Sequence, residues 1–401
     1  MGGLDTLFLF GWFRGGHDHG YPEYEADQAM GGEPALRAAL QQVRDAGGQA
    51  ILYTQGRLLD PTTAYYAQIG RKIAARTSWG GEYKEYYSYW GAGTLHDAMT
   101  GNLLDFSVAC PSNPEWREQL CRQAESVADL GPQGVLFDQE GGATHYLCYA
   151  DNHPHRSPAE AWGRPRVDNF LAVRALLKER NPDLAVVSEN LCDANAQLFD
   201  ILHGGGAGFQ PDRDSFPALF RTVFPEVILT NRIIGTEDMR AAGFAFVHGF
   251  RFDVEIYGAA ASFGASPDLA SYVRRLSAVR RRLPDHLLNG RYLAPDGPGF
   301  VGITADGRCE AADIKVVCCS GGVEAVAFSG RGADEPVVCL WNPGMREETV
   351  AVHCGALRSL TEVEVVAPDP GEDRIFPLEG AAGEVRLPVG AVAVVSSRHA
   401  L

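Results

Sequence analysis

The chain has 401 residues, 51 acidic against 35 basic, and a formal net charge of −16, which opposes binding to nucleic acid or an anionic membrane; no basic stripe with interleaved aromatics offsets it. No apolar run reaches the ~18 residues of a membrane span and the N-terminus has neither a basic start nor a cleavage site, so a cytoplasmic location is expected. The length exceeds one ordinary domain, and a β/α barrel of ~250 residues followed by a smaller domain fits it. Nine cysteines, an odd number scattered mostly through apolar runs, suit reduced buried thiols, and their spacings match no zinc pattern.

The first predicted strand, 4–12, opens into a glycine-rich loop, 14–24, carrying His17-Asp18-His19. A loop at a strand's C-terminal end is where function is usually placed, so His17 and Asp18 are candidates for hydrogen bonding to a substrate or to the loop itself. Alternate residues in a loop are weak grounds for a metal site. Trp12, at the strand's end, has the shape to stack on a sugar or to close the core. A helix over 34–46, with Pro at its start, is stopped by Gly47-Gly48, and a strand over 49–54 brings Tyr53 to its tip. The stretch 58–103 is too long for a mere connection, and its tyrosines and tryptophans suit sugar faces or pack the loop onto a barrel. A third strand is predicted over 103–110, and 111–116 caps a helix running to about 130. Then the apolar run Val135-Leu136-Phe137 delivers Asp138, Gln139 and Glu140 into the turn Gly141-Gly142. His145, His153 and His155 follow in a polar loop at spacings that fit no helical or strand template, and read as ordinary loop histidines.

After a helix over 165–181, a fifth strand, 184–191, ends on Glu189 and Asn190. A short piece at 198–203 is the sixth, 226–231 with Asn231 the seventh, and 244–255 with Arg251, Asp253 and Glu255 supplies the eighth. The basic helix 267–283 reads as a solvated face or a partner for acidic neighbours. From 289 onward short β-rich runs punctuated by Gly, Pro and Asp indicate an antiparallel sandwich. The expected fold is thus a (β/α)8 TIM barrel over 1–288 followed by a small C-terminal antiparallel β-sandwich over 289–401.

Asp138 and Glu189 end successive apolar runs joined through a helix, which makes those runs parallel strands with their tips on one side. Carboxylates so placed stand ~5 to 10 Å apart, the separation used in glycosidic bond cleavage, where one expels the leaving oxygen as an acid and the other attacks or stabilises the charged centre. Asp138, in polar company, is expected to stay ionised; Glu189, backed by an apolar strand, is the better acid. Gln139, Glu140 and Asn190 join the candidates for substrate binding. The substrate implied is a carbohydrate, with no cofactor and no metal.

The runs Cys-Pro-Ser-Asn-Pro-Glu-Trp-Arg at 110–117, Gly-Val-Leu-Phe-Asp at 134–138 and Ser-Glu-Asn at 188–190 resemble the barrel core of a bacterial family of glycoside hydrolases, many of whose members carry only a domain-of-unknown-function label. More distantly the chain is similar to retaining α-glycosidases of the α-amylase and α-galactosidase clans. In the α-amylase clan an aspartate ending strand four is the nucleophile and a glutamate ending strand five the acid/base, which implies those roles for Asp138 and Glu189. The stretch 249–253 imitates the amylase nucleophile motif but falls on the eighth predicted strand, so Arg251, Asp253 and Glu255 read as substrate or structural partners. The α-galactosidase clan would place its acid on strand six, where only Asp200 or Asp212 is at hand. The function expected is a retaining glycoside hydrolase. The other classes are a non-catalytic carbohydrate-binding protein on the same scaffold, because fold does not fix function, and a metal-dependent hydrolase built on His17, Asp18 and His19. Sugar, anomer, exo or endo action and oligomeric state have no signature in the sequence.

Overall fold

The computed structural model describes residues 3–87, 104–142, 145–203, 217–234, 239–255, 263–293, 314–318, 322–331, 335–354, 361–378 and 382–397. The chain divides into two compact units, residues 5–203 and residues 1–4 with 204–401. Tyr89, Trp90, Asp212, Cys319 and the glycine run 204–208 lie outside the described residues. No described helix is long and apolar enough to cross a membrane.

The unit 5–203 is built on five parallel strands in the order β1 (Thr6–Leu9), β2 (Gln49–Gln55), β6 (Gly134–Asp138), β7 (Ala185–Glu189) and β8 (Ile201–His203). β2, β6 and β7 are buried along nearly their whole length, as the continuous apolar runs of parallel strands are. Three helices make the crossovers: α1 (Gly32–Asp45) between β1 and β2, α2 (Pro114–Asp129) before β6, and α3 (Gly163–Arg180) between β6 and β7. α2 starts with Pro after Asn113 and buries Trp116, Leu120, Ala124 and Val127, a stripe at helical spacing. In α3 the stripe is Phe170, Val173 and Leu177, with Phe170 set edge-on to Phe137 of β6.

The predicted third barrel strand is corrected by the pairing. Its residues form β5 (Leu104–Val108), which runs antiparallel to β3 (Leu58–Leu59) and β4 (Lys84–Tyr87) in a separate three-stranded sheet. β2 pairs directly with β6, so Asp138 ends the third parallel strand of this unit and Glu189 the fourth. An apolar run predicts a strand but not its partner, and here the residues between β2 and α2 fold back on themselves.

In the second unit β9 (Ile228–Ile234) and β10 (Arg251–Glu255) pair in parallel. Between them residues 239–247, half of which had been read as strand, form helix α4 (Met239–Val247), buried from Ala241 onward. A helix apolar all round gives no periodicity to tell it from a buried strand. Helix α5 (Pro267–Arg282) follows; of its basic run, Arg280 is buried with its guanidinium over Phe246 and Phe252 rather than solvated, while Arg275 pairs with Asp373 and Arg282 with Glu364. The C-terminal part is antiparallel: a six-stranded sheet in the order β11 (Arg291–Leu293), β13 (Glu324–Ser329), β14 (Val337–Trp341), β19 (Val392–Ser397), β16 (Thr361–Val366) and β17 (Arg374–Leu378). A three-stranded sheet, β12 (Ile314–Cys318), β15 (Glu348–Cys354) and β18 (Ala382–Leu387), completes it. Val338, Leu340 and Val363 of the larger sheet and Val350, Val352 and Val385 of the smaller share one apolar core, the arrangement of a sandwich.

Candidate active site

Asp138 and Glu189 come together because the chain around each is bent for it. Gln139 and Asn190, the residues that follow them, both take left-handed backbone conformations, with φ 66° and 64°. Such conformations are uncommon outside glycine and cluster where a structure over-determines them. Two residues beyond Gln139, a Cβ on Gly141 would lie 2.3 Å from the carbonyl oxygen of Asn190 and 2.4 Å from that of Glu189. The missing side chain lets the turn after β6 lie against the end of β7. Asp138 and Glu189 then stand close enough for the Glu189 carboxyl to raise that of Asp138.

β2 supplies the other partners of Asp138. Gln55 is its register neighbour across the β2–β6 pair, and Tyr53, two residues back, lies on the same face. The Tyr53 hydroxyl donates to Asp138 Oδ2 at 3.0 Å, and Gln55 Nε2 donates to the same oxygen at 3.1 Å. Gln55 is held from both sides: its amide N–H donates to Tyr24, and its carbonyl accepts from the buried Gln123 of α2 at 3.0 Å.

The loop after β1 extends the polar chain. Tyr21 donates to Asp18 Oδ1 at 2.7 Å, and its hydroxyl oxygen stands 2.9 Å from that of Tyr53. Asp18, φ 58°, is with Gln139 and Asn190 the third non-glycine residue of positive φ among the described residues, and its N–H donates to Tyr21 at 3.0 Å. Asp18, Tyr21, Tyr53 and Asp138 thus form a line of three oxygen–oxygen contacts served by only two hydroxyl protons.

Burial first, and the Glu189 charge second, hold the Asp138 carboxyl well above its ordinary value, and burial raises Asp18. Against the expectation that polar company keeps Asp138 ionised, burial and the Glu189 charge favour its protonated form, and the hydrogen bond from Tyr53 opposes them. Burial also pushes the Tyr53, Tyr21 and Tyr24 hydroxyls up, which keeps them as donors. His17 is lowered by burial although Asp18 and Glu189 draw it upward; its ring packs edge-on to Tyr53 and Phe10.

Of the other residues singled out from sequence, Asn190 donates to Glu189 Oε2 at 3.3 Å, and Gln139 Oε1 accepts from Arg57 Nε at 2.7 Å. Arg57 is paired with Glu85 at 3.0 Å. Two substrate candidates belong to the core instead. Trp12 is 5 % exposed and donates its indole N–H to the Tyr53 carbonyl at 2.9 Å, so it buttresses Tyr53 and offers no face to a sugar. Glu140 is 2 % exposed and its carboxylate is held by Arg166 Nε at 2.5 Å, a buried ion pair that anchors the turn. In the His17-Asp18-His19 run, His17 Nε2 stands 3.8 Å from Asp18 Oδ2, while His19 Nδ1 meets the His17 carbonyl and Asp18 Oδ1 accepts from Tyr21.

Asn231, Arg251, Asp253 and Glu255 lie in the second unit, on β9 and β10. There Asp253 accepts from Thr230 at 2.8 Å, and Arg251 donates to the carbonyls of Leu287 and Leu288, a structural use of the guanidinium. Asp200 is tied to Arg174 and Lys178. Sequence reasoning missed Gln55 and Tyr21. Gln55 was legible, since strand alternation puts it on the face of Tyr53; Tyr21 had no local signal.

A family model described as "Domain of unknown function (DUF6259)" matches residues 3–224. A Bacteroides thetaiotaomicron protein named "Putative glycoside hydrolase" is 28% identical over 203 residues, 49% of this chain and 27% of that protein, so the match spans about a quarter of the relative's length. Among solved structures, the α-amylase of Geobacillus thermoleovorans superposes with a TM-score of 0.64 at 12% identity, covering 99% of this chain and 89% of that one. The α-N-acetylgalactosaminidase NagBb of Bifidobacterium bifidum gives 0.55 at 17% identity over 83% of this chain and 48% of that one. At such identities the likeness is one of fold.

Proposed function

The chain belongs to the family described as Domain of unknown function (DUF6259), and we propose that it is a retaining glycoside hydrolase acting on an α-glycoside, with Asp138 as nucleophile and Glu189 as general acid/base. The observation that carries this reading is that two carboxyls close enough to act on each other's ionisation end adjacent parallel strands. Retaining pairs stand close, about 5 to 5.5 Å apart, whereas inverting pairs are spaced to admit a water, and carboxyls that act strongly on each other suit the closer spacing. The choice of α-glycosides rests on the fold shared with an α-amylase and an α-N-acetylgalactosaminidase.

One proton between two carboxyls suffices for the reaction. Placed on Glu189, it leaves Asp138 charged and Glu189 protonated. Tyr53 and Gln55, both donors to Oδ2, orient the carboxylate and disperse its charge. Asp138 attacks the anomeric carbon as the glycosidic C–O bond breaks, and Glu189 gives its proton to the departing oxygen. Glu189 then takes a proton from water, which adds to the anomeric carbon and releases Asp138. Asn190, bonded to Glu189, is placed to keep that carboxyl in line.

The test is a panel of aryl α- and β-glycosides, with the product anomer followed by NMR. A first-formed product of retained configuration is expected. With azide added, Asp138→Ala should yield a glycosyl azide of inverted configuration and Glu189→Ala one of retained configuration. An inverted hydrolysis product would remove the retaining mechanism; full activity of both variants on a turned-over substrate would remove the residue assignment.

A further inference from the structure

A second cluster lies in the same unit, apart from the carboxyl pair. Cys110, two residues past β5, meets Cys148, His153 and His155 from the loop beyond β6, and one donor atom from each of the four lies within 4.8 Å of the others. Cys110, Cys148 and His153 are buried and His155 is half-buried. We propose that Cys110, Cys148, His153 and His155 bind a structural Zn2+ ion.

The donor set is the first argument. Two sulfurs and two imidazole nitrogens are a tetrahedral zinc set, and with Zn–S near ~2.3 Å and Zn–N near ~2.1 Å the tetrahedron's edges are roughly 3.4 to 3.8 Å. Cys148 Sγ and His153 Nδ1 are already 3.3 Å apart. Four protein donors leave no position for water or substrate, which marks a structural site rather than a catalytic one.

The surroundings prepare the donors for a cation. His153 Nε2 is 2.9 Å from the Lys72 carbonyl oxygen. A carbonyl only accepts, so Nε2 carries the hydrogen and the lone pair of Nδ1 points to Cys148; fixing the tautomer through the outer nitrogen is the usual second layer of a metal-binding histidine. His155 Nε2 is buried with no hydrogen-bond partner, a cost that a metal bond would remove. The Arg76 N–H points at Cys148 Sγ at 3.5 Å and the Ser112 hydroxyl lies 3.0 Å from Cys110 Sγ, donors suited to thiolates. Backbone bonds hold the frame: the Cys110 N–H donates to Ile73, that of Cys148 to Pro158 and that of His155 to His153.

The ion would fasten the loop beyond β6 to the residues that precede α2 and to the turn at 71–76. The same loop carries Tyr146, which donates to Glu85 at 2.8 Å and lies under Arg57, the residue that holds Gln139 next to Asp138. Zinc here would keep the outer wall of the candidate active site in place, and its role is independent of what that site cleaves.

The experiment uses the full chain without a metal-binding tag. After incubation with Zn2+ and exhaustive buffer exchange, elemental analysis should find a single zinc per chain. Co2+ in its place should give the visible bands of a tetrahedral ion and a near-ultraviolet thiolate charge-transfer band. Cys148→Ser and His155→Ala should each lose the zinc and lower the melting temperature, His155→Ala guarding against a Cys148→Ser chain that does not fold. The proposal is overturned if the native chain retains no zinc, if both variants retain it, or if peptide mapping of the zinc-treated chain recovers Cys110 and Cys148 as a disulfide.

Discussion

The hydroxyl of Tyr53 donates to Oδ2 of Asp138 at 3.0 Å while standing 2.9 Å from the hydroxyl of Tyr21, so a single ring joins the loop after β1 to the carboxyl at the tip of β6. That bond favours the charged form of Asp138. Tyr53→Phe keeps the ring and removes the donor, so kcat/KM should fall about 10- to 100-fold, the worth of one hydrogen bond to a charged group. With its donor gone Asp138 holds its proton more tightly, and the acidic limb of the pH–rate profile should move to higher pH. An unmoved limb would separate Tyr53 from the ionisation of the pair.

Asp138 should also be a burden on stability. Its folded pKa is raised, so the folded chain binds this proton more tightly than the unfolded chain does. Below the ordinary value of 3.8 both states are protonated and the group costs nothing. As pH rises through the window above 3.8 the unfolded carboxyl ionises first, and stability falls by at most about 1.4 kcal/mol per pH unit until the folded pKa is reached. Asp138→Asn should therefore abolish activity and raise the melting temperature at pH 7 by a few degrees, about 2 to 4 °C per kcal/mol. The gain should shrink toward pH 4. Thermal melts of both proteins across this range decide it; a gain that grows toward acid would refute the assignment.

Gly141 is where the two strand tips touch. A methyl group there meets two carbonyl oxygens at 2.3 and 2.4 Å, and backbone atoms cannot swing aside as side chains do. Gly141→Ala should cost about 1 to 3 kcal/mol in denaturant titrations. It should also lower kcat more than KM changes, because the carboxyls are pushed apart. Wild-type activity in this variant would mean that their spacing does not matter to the chemistry.

Arg166 and Glu140 form a buried pair, and Arg166 also donates to the carbonyls of Glu140 and Gly142. Arg166→Met leaves the Glu140 carboxylate buried without its cation, and about 3 to 5 kcal/mol of stability should be lost. Adding Glu140→Gln should restore part of it. If the double variant is no more stable than the single one, the charge on Glu140 is not what Arg166 answers.

Read alone, the sequence determined the parts whose physics is local. The runs ending at Asp138 and Glu189 are apolar along their length because parallel strands are buried on both faces, and such runs announce themselves together with the acids that end them. The short β-rich runs punctuated by Gly, Pro and Asp after residue 289 marked an antiparallel region. Only the tertiary structure decided which strand pairs with which, so that the run at β5 turned out antiparallel to β3 and β4, and that the apolar run through Phe244 is a helix. It also decided which polar groups meet. Trp12 and Glu140 look like site residues in the sequence and are core, whereas Tyr21 reaches Asp138 through Tyr53. Cys110, Cys148, His153 and His155 follow no ligand spacing, yet their donor atoms converge. Periodicity reports which face of an element is dry. Which distant side chains share that dry space depends on how the elements pack, and no local pattern records it.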